Sequence, residues 1–207
     1  KLPYIVHPRE VAMIVAMMTE DPEVIAAAYL HDVIEDAGVR YEELEEQFGK
    51  KVKIIRTMPN TPALVGEGMS AICPNNNVSE EELNYIGKLY NLFGKYEVIA
   101  EKDFHAFIAL CGSSPAYVFM FIEAMADAAV NDGMPRAQAY KFAAQSVLGA
   151  AKMVLETGKH PGELKDMVCS PGGTTIEGLA ALEENGFRGA IIKACDANFE
   201  KNKKLKG

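Results

Sequence analysis

Apolar residues recur at helical spacing along most of the 207 residues, and the exceptions are short. From His7 to Met18 the pattern is helical, with Pro8 at a first-turn position. Asp21 then caps a second helix that Pro22 opens and that runs to about Ile34. Tyr41 to Phe48 predicts a third helix, stopped by Gly49. The period then shortens: Lys53 to Thr57 reads as a strand, Met58-Pro59-Asn60-Thr61-Pro62 as a rigid loop, and Met69 to Cys73 as a second strand. Ser79 with Glu82 forms a capping box for a helix that runs to about Phe93 and stops at Gly94. Asp103 to about Val130 is apolar on nearly every face, with a break at Pro115. Pro135 opens a long helix that stops at Gly158, and short helices follow from Pro161, Thr175 and Arg188. The expected fold class is mainly α, a helical bundle with two short strands. A helix that is hydrophobic all round must be covered on all sides, and a unit of roughly 100 residues rarely supplies that cover. A partner subunit packed on these helices is therefore expected, with a self-sufficient bundle as the alternative.

The stretch from Val168 to Leu179, Val-Cys-Ser-Pro-Gly-Gly-Thr-Thr-Ile-Glu-Gly-Leu, carries the clearest candidate chemistry. Pro171 fixes one φ, two glycines open angles closed to other residues, and Thr174 or Thr175 is placed to cap the next helix. Bare N–H groups at a helix entry suit a small anion such as a carboxylate or phosphate. The plainer alternative is a tight turn before a capped helix.

Composition narrows the field. A net charge of -8 argues against sequence-independent nucleic-acid binding, because a phosphate backbone would be repelled. The basic run from Lys201 to Lys206 suits a helix C-terminus. Cys73, Cys111, Cys169 and Cys195 form no Cys-x-x-Cys pair, so neither a zinc knuckle nor a disulfide framework is indicated, and a reducing cytoplasm is expected. Cys169 adjoins the turn, but without a histidine base nearby in sequence it reads as an inert thiol rather than a nucleophile. The apolar run from Phe104 to Val130 contains Glu123 and Asp127 and is broken at Gly112-Ser113-Ser114-Pro115, so no membrane span is expected.

In the first fifty residues, His31-Asp32 closes the second helix and Glu35-Asp36 follows one turn later. A His-Asp pair can hold a divalent cation when another histidine joins it, and His7 is the candidate; a capping aspartate beside a surface histidine is the plainer reading. Pro3-Tyr4-Ile5-Val6-His7-Pro8, Ile25 through Asp36 and Glu45-Glu46-Gln47-Phe48-Gly49 resemble the HD hydrolase domain of RelA/SpoT-type alarmone enzymes. The resemblance implies manganese ligands at His7, His31 and Asp32, and a water-activating pair at Glu35 and Asp36. The family's basic segment before the first histidine and its later completing aspartate have no counterpart here, so residues 1–50 read as an HD-like remnant that binds metal weakly.

From residue 53 to 198 a second resemblance appears. Ile55-Arg56-Thr57-Met58-Pro59-Asn60-Thr61-Pro62, Gly112-Ser113-Ser114-Pro115-Ala116-Tyr117, Gly133-Met134-Pro135-Arg136, and His160-Pro161 through Thr175 to Gly186-Phe187-Arg188 are similar to pyrroline-5-carboxylate reductase. That family couples a dinucleotide-binding domain to a helical domain interlocked in a homodimer. The resemblance implies NAD(P)H as cofactor, pyrroline-5-carboxylate and proline as substrate and product, and Met58, Pro59 and Asn60 at the cofactor edge. It implies a substrate-binding loop at Ser170, Gly172, Gly173, Thr174 and Thr175. Thr175 stands where a hydroxyl bonds the substrate ring nitrogen; a threonine hydroxyl is a poor acid at neutral pH, so its role is orientation or relay.

No Gly-x-Gly-x-x-Gly fingerprint occurs in the 207 residues, and where the cofactor domain is expected stand the HD-like helices. The join falls between Leu44 and Val52, giving residues 1–50 and 51–207 as the two units. The expectation is a reductase-family dimerisation and substrate unit with impaired hydride transfer. The rivals are a metal-dependent alarmone pyrophosphohydrolase and a non-catalytic dimerisation module.

Overall fold

The computed structural model describes residues 5–31, 33, 39–49 and 51–205. Helix α1 (Val6–Ala16) packs on α2 (Pro22–Leu30), and α3 (Tyr41–Phe48) follows. Asp21 accepts from the Glu23 N–H at the α2 entry, as its side chain and the following Pro22 require, and Gly49 ends α3 in the left-handed region. Ile34, the expected end of α2, lies outside the described residues.

A mixed sheet comes next, in strand order β1 (Ile55–Pro59), β2 (Gly68–Pro74), β3 (Gly94–Val98). β1 and β2 pair antiparallel, with Arg56 opposite Cys73 and Met58 opposite Ala71. β2 and β3 run parallel through the crossover helix α4 (Glu80–Tyr90), whose Ser79–Glu82 capping box is present as expected. β3 is the strand that periodicity did not predict. Its opening residue Gly94 sits opposite Gly68, and a Cβ there would stand 2.0 Å from the Gly68 carbonyl oxygen. The stop signal of α4 is thus also a strand start, where two backbones approach too closely for any side chain.

The helical half begins with a single turn, α5 (Phe104–Phe107), continues as a π-turn over Ile108–Gly112, and resumes as α6 (Ser114–Asn131). The antiparallel α7 (Arg136–Thr157) packs on α6, and α8 (Pro161–Val168), α9 (Thr174–Glu184) and α10 (Phe187–Leu205) complete the array. The fold is mainly α, as the pattern predicts. The last helix is long rather than short, at 19 residues.

The core sits between the sheet and the start of this array: Ala71, Cys73 and Phe104 are buried, with Met58, Ile99, Phe107 and Ile108 packed against them. Arg56 stacks its guanidinium 3.8 Å from the Phe104 ring centre and pairs with Glu101, so the one charge on the inner face of β1 is neutralised beneath an aromatic ring. Outward from this core the helices bury small residues such as Ala126 and Ala139 between them but leave large apolar side chains exposed. Phe119 is 60%, Met120 73% and Leu155 83% exposed. Among the described residues one helical run, Glu101–Asn131, is long and apolar enough to cross a bilayer by length and composition. The π-turn and Pro115 interrupt it.

Candidate substrate turn and cofactor edge

The turn before α9 forms because α8 ends at Val168 and Gly172, at φ +67°, takes a left-handed angle open to glycine. The Gly173 N–H donates to the Ser170 carbonyl at 3.0 Å and closes it. Gly173, not a threonine, occupies the N-cap position, and no side chain caps the helix. This corrects the expected Thr174 or Thr175 cap: both threonines lie inside the first helical turn, so their hydroxyls cannot reach back to its amides. The first-turn N–H groups of α9 therefore have no side-chain acceptor, which is the condition for holding an anion. A Cβ on Gly173 would meet the Ser170 hydroxyl at 2.3 Å, so the glycine keeps that hydroxyl beside the helix entry. Ser170, Gly172, Thr174 and Thr175 are exposed and Gly173 is half-buried. Cys169 donates its thiol to the Lys165 carbonyl at 3.1 Å, in keeping with an inert thiol.

Met58, Pro59 and Asn60 end β1 and begin the loop to β2. The Met58 side chain turns into the core, against the cluster of Ala71, Cys73 and Phe104, so it offers this loop as backbone more than as side chain. Asn60 uses both ends of its carboxamide: Oδ1 accepts from the Met69 N–H at 2.8 Å and Nδ2 donates to the Cys111 carbonyl at 3.1 Å. Partial burial pushes the Cys111 thiol above its ordinary value. No hydrogen bond joins the Ser170–Thr175 turn to Met58–Asn60 among the described residues.

A cavity of about 1150 Å³ lies between the N-terminal helices and the outer edge of β1, lined by Ala27 and Leu30 of α2, its C-cap His31, Leu44 and Phe48 of α3, and the Lys51–Pro59 segment. Its floor is mostly apolar. Glu45 of α3 joins this side of the molecule to the sheet, because its carboxylate accepts from the side-chain amides of Asn75 and Asn77. The HD-like motif includes Glu45 but assigns it no partner; Asn75 and Asn77 sit about thirty positions away and only the fold brings them together.

His7 and His31 face one another across α1 and α2, with Nε2 atoms 3.3 Å apart and rings at 64°. His31 turns its Nδ1 to the Ala28 carbonyl at 2.8 Å. Asp32, Glu35 and Asp36 lie outside the described residues, and among the described ones no group of three or more His, Cys, Asp or Glu side chains is placed to hold a metal.

Comparison with known proteins accounts for both halves. Residues 101–205 match the family model for pyrroline-5-carboxylate reductase dimerisation, and residues 1–56 match that of an HD domain. The reductase of Escherichia coli K12 is 61% identical over 169 residues, which cover 82% of this chain and 63% of the relative. The chain thus spans a little under two thirds of that relative's length. Among solved structures, the Plasmodium falciparum pyrroline carboxylate reductase with NADP bound is 38% identical at a TM-score of 0.72, over 82% of this chain and 68% of that one. The Coxiella burnetii reductase is 31% identical at a TM-score of 0.77, over 96% and 73%. With half of its residues in the dimerisation model and solved reductases matching over 82% and 96% of its length, the chain belongs to the pyrroline-5-carboxylate reductase family.

Proposed function

We propose that residues 51–207 act as the substrate-binding and dimerisation unit of a pyrroline-5-carboxylate reductase, cytoplasmic and homodimeric, and that residues 1–50 are an HD-like helical fragment joined to it. The observation that carries this reading is the turn before α9, with uncapped first-turn amides and the Ser170 hydroxyl held beside them by Gly173. A cyclic imino acid presents a carboxylate, and preorganised donors at a helix entry anchor it without reorganisation. Ser170, Gly172, Gly173, Thr174 and Thr175 form that anchor in this reading, and Thr175 orients the ring nitrogen. The apolar faces of α6 and α7 receive the second subunit, in line with the dimerisation family that covers them.

NAD(P)H supplies the hydride in such a reductase, and Met58, Pro59 and Asn60 are the residues here that would border its nicotinamide. Among the described residues, the rest of the chain does not suit the cofactor's phosphates. The strand-to-helix turn between β2 and α4 is closed by its capping box and carries Glu80, Glu81 and Glu82 in the first helical turn, which repels a pyrophosphate. Lys53 and Arg56, beside the cavity at β1, are paired with Glu82 and Glu101. Hydride transfer by these 207 residues is accordingly impaired while substrate recognition persists.

The test is calorimetry with proline alongside NADPH oxidation with pyrroline-5-carboxylate. Proline binding that Gly173→Ala removes, with turnover near background, supports the reading. Turnover comparable to a complete reductase would overturn the account of the cofactor, and absent proline binding from a folded dimer would favour a non-catalytic module.

The His7–His31 geometry favours a second reading for residues 1–50. Two Nε2 atoms 3.3 Å apart suit adjacent positions around one ion, and a second ring nitrogen bonded to a backbone carbonyl is the usual support of a metal-bound histidine. Manganese held by His7, His31 and Asp32, with Glu35 and Asp36 activating water, is the alarmone-hydrolase alternative. Manganese titration decides it: stoichiometric binding lost in His31→Ala supports the alternative, and substoichiometric metal rejects it.

A further inference from the structure

The π-turn Ile108–Gly112 leaves an acceptor without a partner of its own. In an α-helix the Cys111 carbonyl would accept from the N–H four residues on, but that residue is Pro115, which has none. The next candidate, the Ala116 N–H, donates instead to the Ser113 carbonyl at 3.1 Å, and the Ser113 N–H closes the π-turn on the Ile108 carbonyl at 3.2 Å. A backbone carbonyl stranded in this way beside a packed core is costly unless something else reaches it. Asn60 does, from the end of β1, with its Nδ2 at 3.1 Å. Its Oδ1 is pinned at the same time by the Met69 N–H, so the carboxamide cannot swing away without losing both bonds. The π-turn is held on its other flank too, where Asn198 of α10 donates to the Ser113 hydroxyl at 2.6 Å. Gly112 faces the Met58 terminal methyl at a spacing where even a Cβ would make ordinary van der Waals contact, at 3.7 Å, so the turn lies alongside β1.

We propose that Asn60 is a positioning residue that replaces the N–H missing at Pro115, locking the Met58–Pro59–Asn60 segment to the π-turn so that the sheet and the helical array move as one body. Asn60 and Pro115 are then a matched pair: the proline creates the need that the asparagine meets. The assignment goes beyond the reductase reading and does not depend on turnover.

The experiment is hydrogen exchange by mass spectrometry on the full chain, comparing the parent, Asn60→Ala, Pro115→Ala and the double variant, with circular dichroism and sedimentation as checks on folding and assembly. Asn60→Ala is expected to speed exchange across the π-turn peptide by about tenfold, while peptides of α7 and α9 stay unchanged. In the Pro115→Ala background the new N–H can reach the Cys111 carbonyl, and the same Asn60→Ala change should then alter exchange by less than about twofold. Equal acceleration with and without Pro115, or none in Asn60→Ala, overturns the proposal. If Asn60→Ala fails to fold, Asn60→Asp serves in its place: it keeps the acceptor for Met69 and loses the donor to Cys111, and unchanged exchange in it is equally fatal.

Discussion

Asn77 donates to the Glu45 carboxylate at 2.6 Å and, through the same amide nitrogen, to the Val52 carbonyl at 2.9 Å. Asn75 makes the same two contacts at 3.3 and 2.8 Å. A helix of the N-terminal segment and the loop after β2 therefore share one hydrogen-bonded seam, and the two halves of the chain are packed rather than merely connected. Glu45→Ala removes the acceptor and is expected to destabilise the chain by about 1–2 kcal/mol, read by urea unfolding. Glu45→Gln keeps a carbonyl acceptor and should recover part of the loss. Identical midpoints for all three proteins would mean that the seam contributes nothing.

The carboxyl of Glu82 gives the clearest pH dependence. Hydrogen bonding to Lys53, then to the backbone N–H and hydroxyl of Ser79, lowers its pKa from 4.5 to about 2. A carboxylate with a depressed folded-state pKa contributes stability that is fully present above its unfolded value. That contribution fades as pH falls from about 4.5 through about 2. Carbon-detected NMR titration should place the Glu82 midpoint far below those of unpaired glutamates, and Lys53→Met should raise it. A midpoint that stays put in Lys53→Met would discard Lys53 as the main cause.

Exposure of Phe119 and Met120 on α6 sets up a test of assembly. An aspartate at Met120 would place a charge where apolar surface must be covered, at a cost of several kcal/mol if the site is desolvated. If the proposed dimer forms through this face, sedimentation should show the parent as dimer and Met120→Asp as monomer at the same concentration. A variant that remains dimeric would move the subunit contact to another face.

At the turn before α9, Gly172 and Gly173 should fail differently. Nothing lies within 4 Å of a Cβ on Gly172, but its φ of +67° is unfavourable for other residues, so Gly172→Ala costs about 1 kcal/mol of stability and little else directly. Gly173 has an ordinary φ of -80°, yet its Cβ would collide with the Ser170 hydroxyl. Gly173→Ala is expected to leave the melting temperature nearly unchanged and to weaken proline binding by about tenfold or more, the equivalent of at least one lost hydrogen bond. Calorimetry and thermal melts on both variants separate the two effects. Undiminished proline affinity in Gly173→Ala would remove Ser170 from the site.

Local chemistry made much of this chain readable in advance. Asp21 before Pro22, Ser79 three residues before Glu82, and the stops at Gly49 and Gly158 act on neighbours within one or two turns, so they mark helix ends in sequence as they do in the fold. The same holds for the turn at Ser170–Gly173, whose proline and glycines determine its backbone wherever the chain runs. The helix cap was less legible, because which of Gly173, Thr174 and Thr175 ends up outside the first turn depends on where α8 releases the chain.

What only the tertiary structure decided involves partners far apart in sequence. β3 has weak periodicity of its own and exists because Gly68 and Gly94 let two backbones meet. At the π-turn, the Cys111 carbonyl meets the side chain of Asn60, over fifty positions away. Sequence by itself determined which segments are helical and which turn can present donors, since those depend on residues within a few positions. It could not determine which stranded carbonyl, amide or carboxylate meets which distant side chain, because that pairing is set by packing of the whole chain.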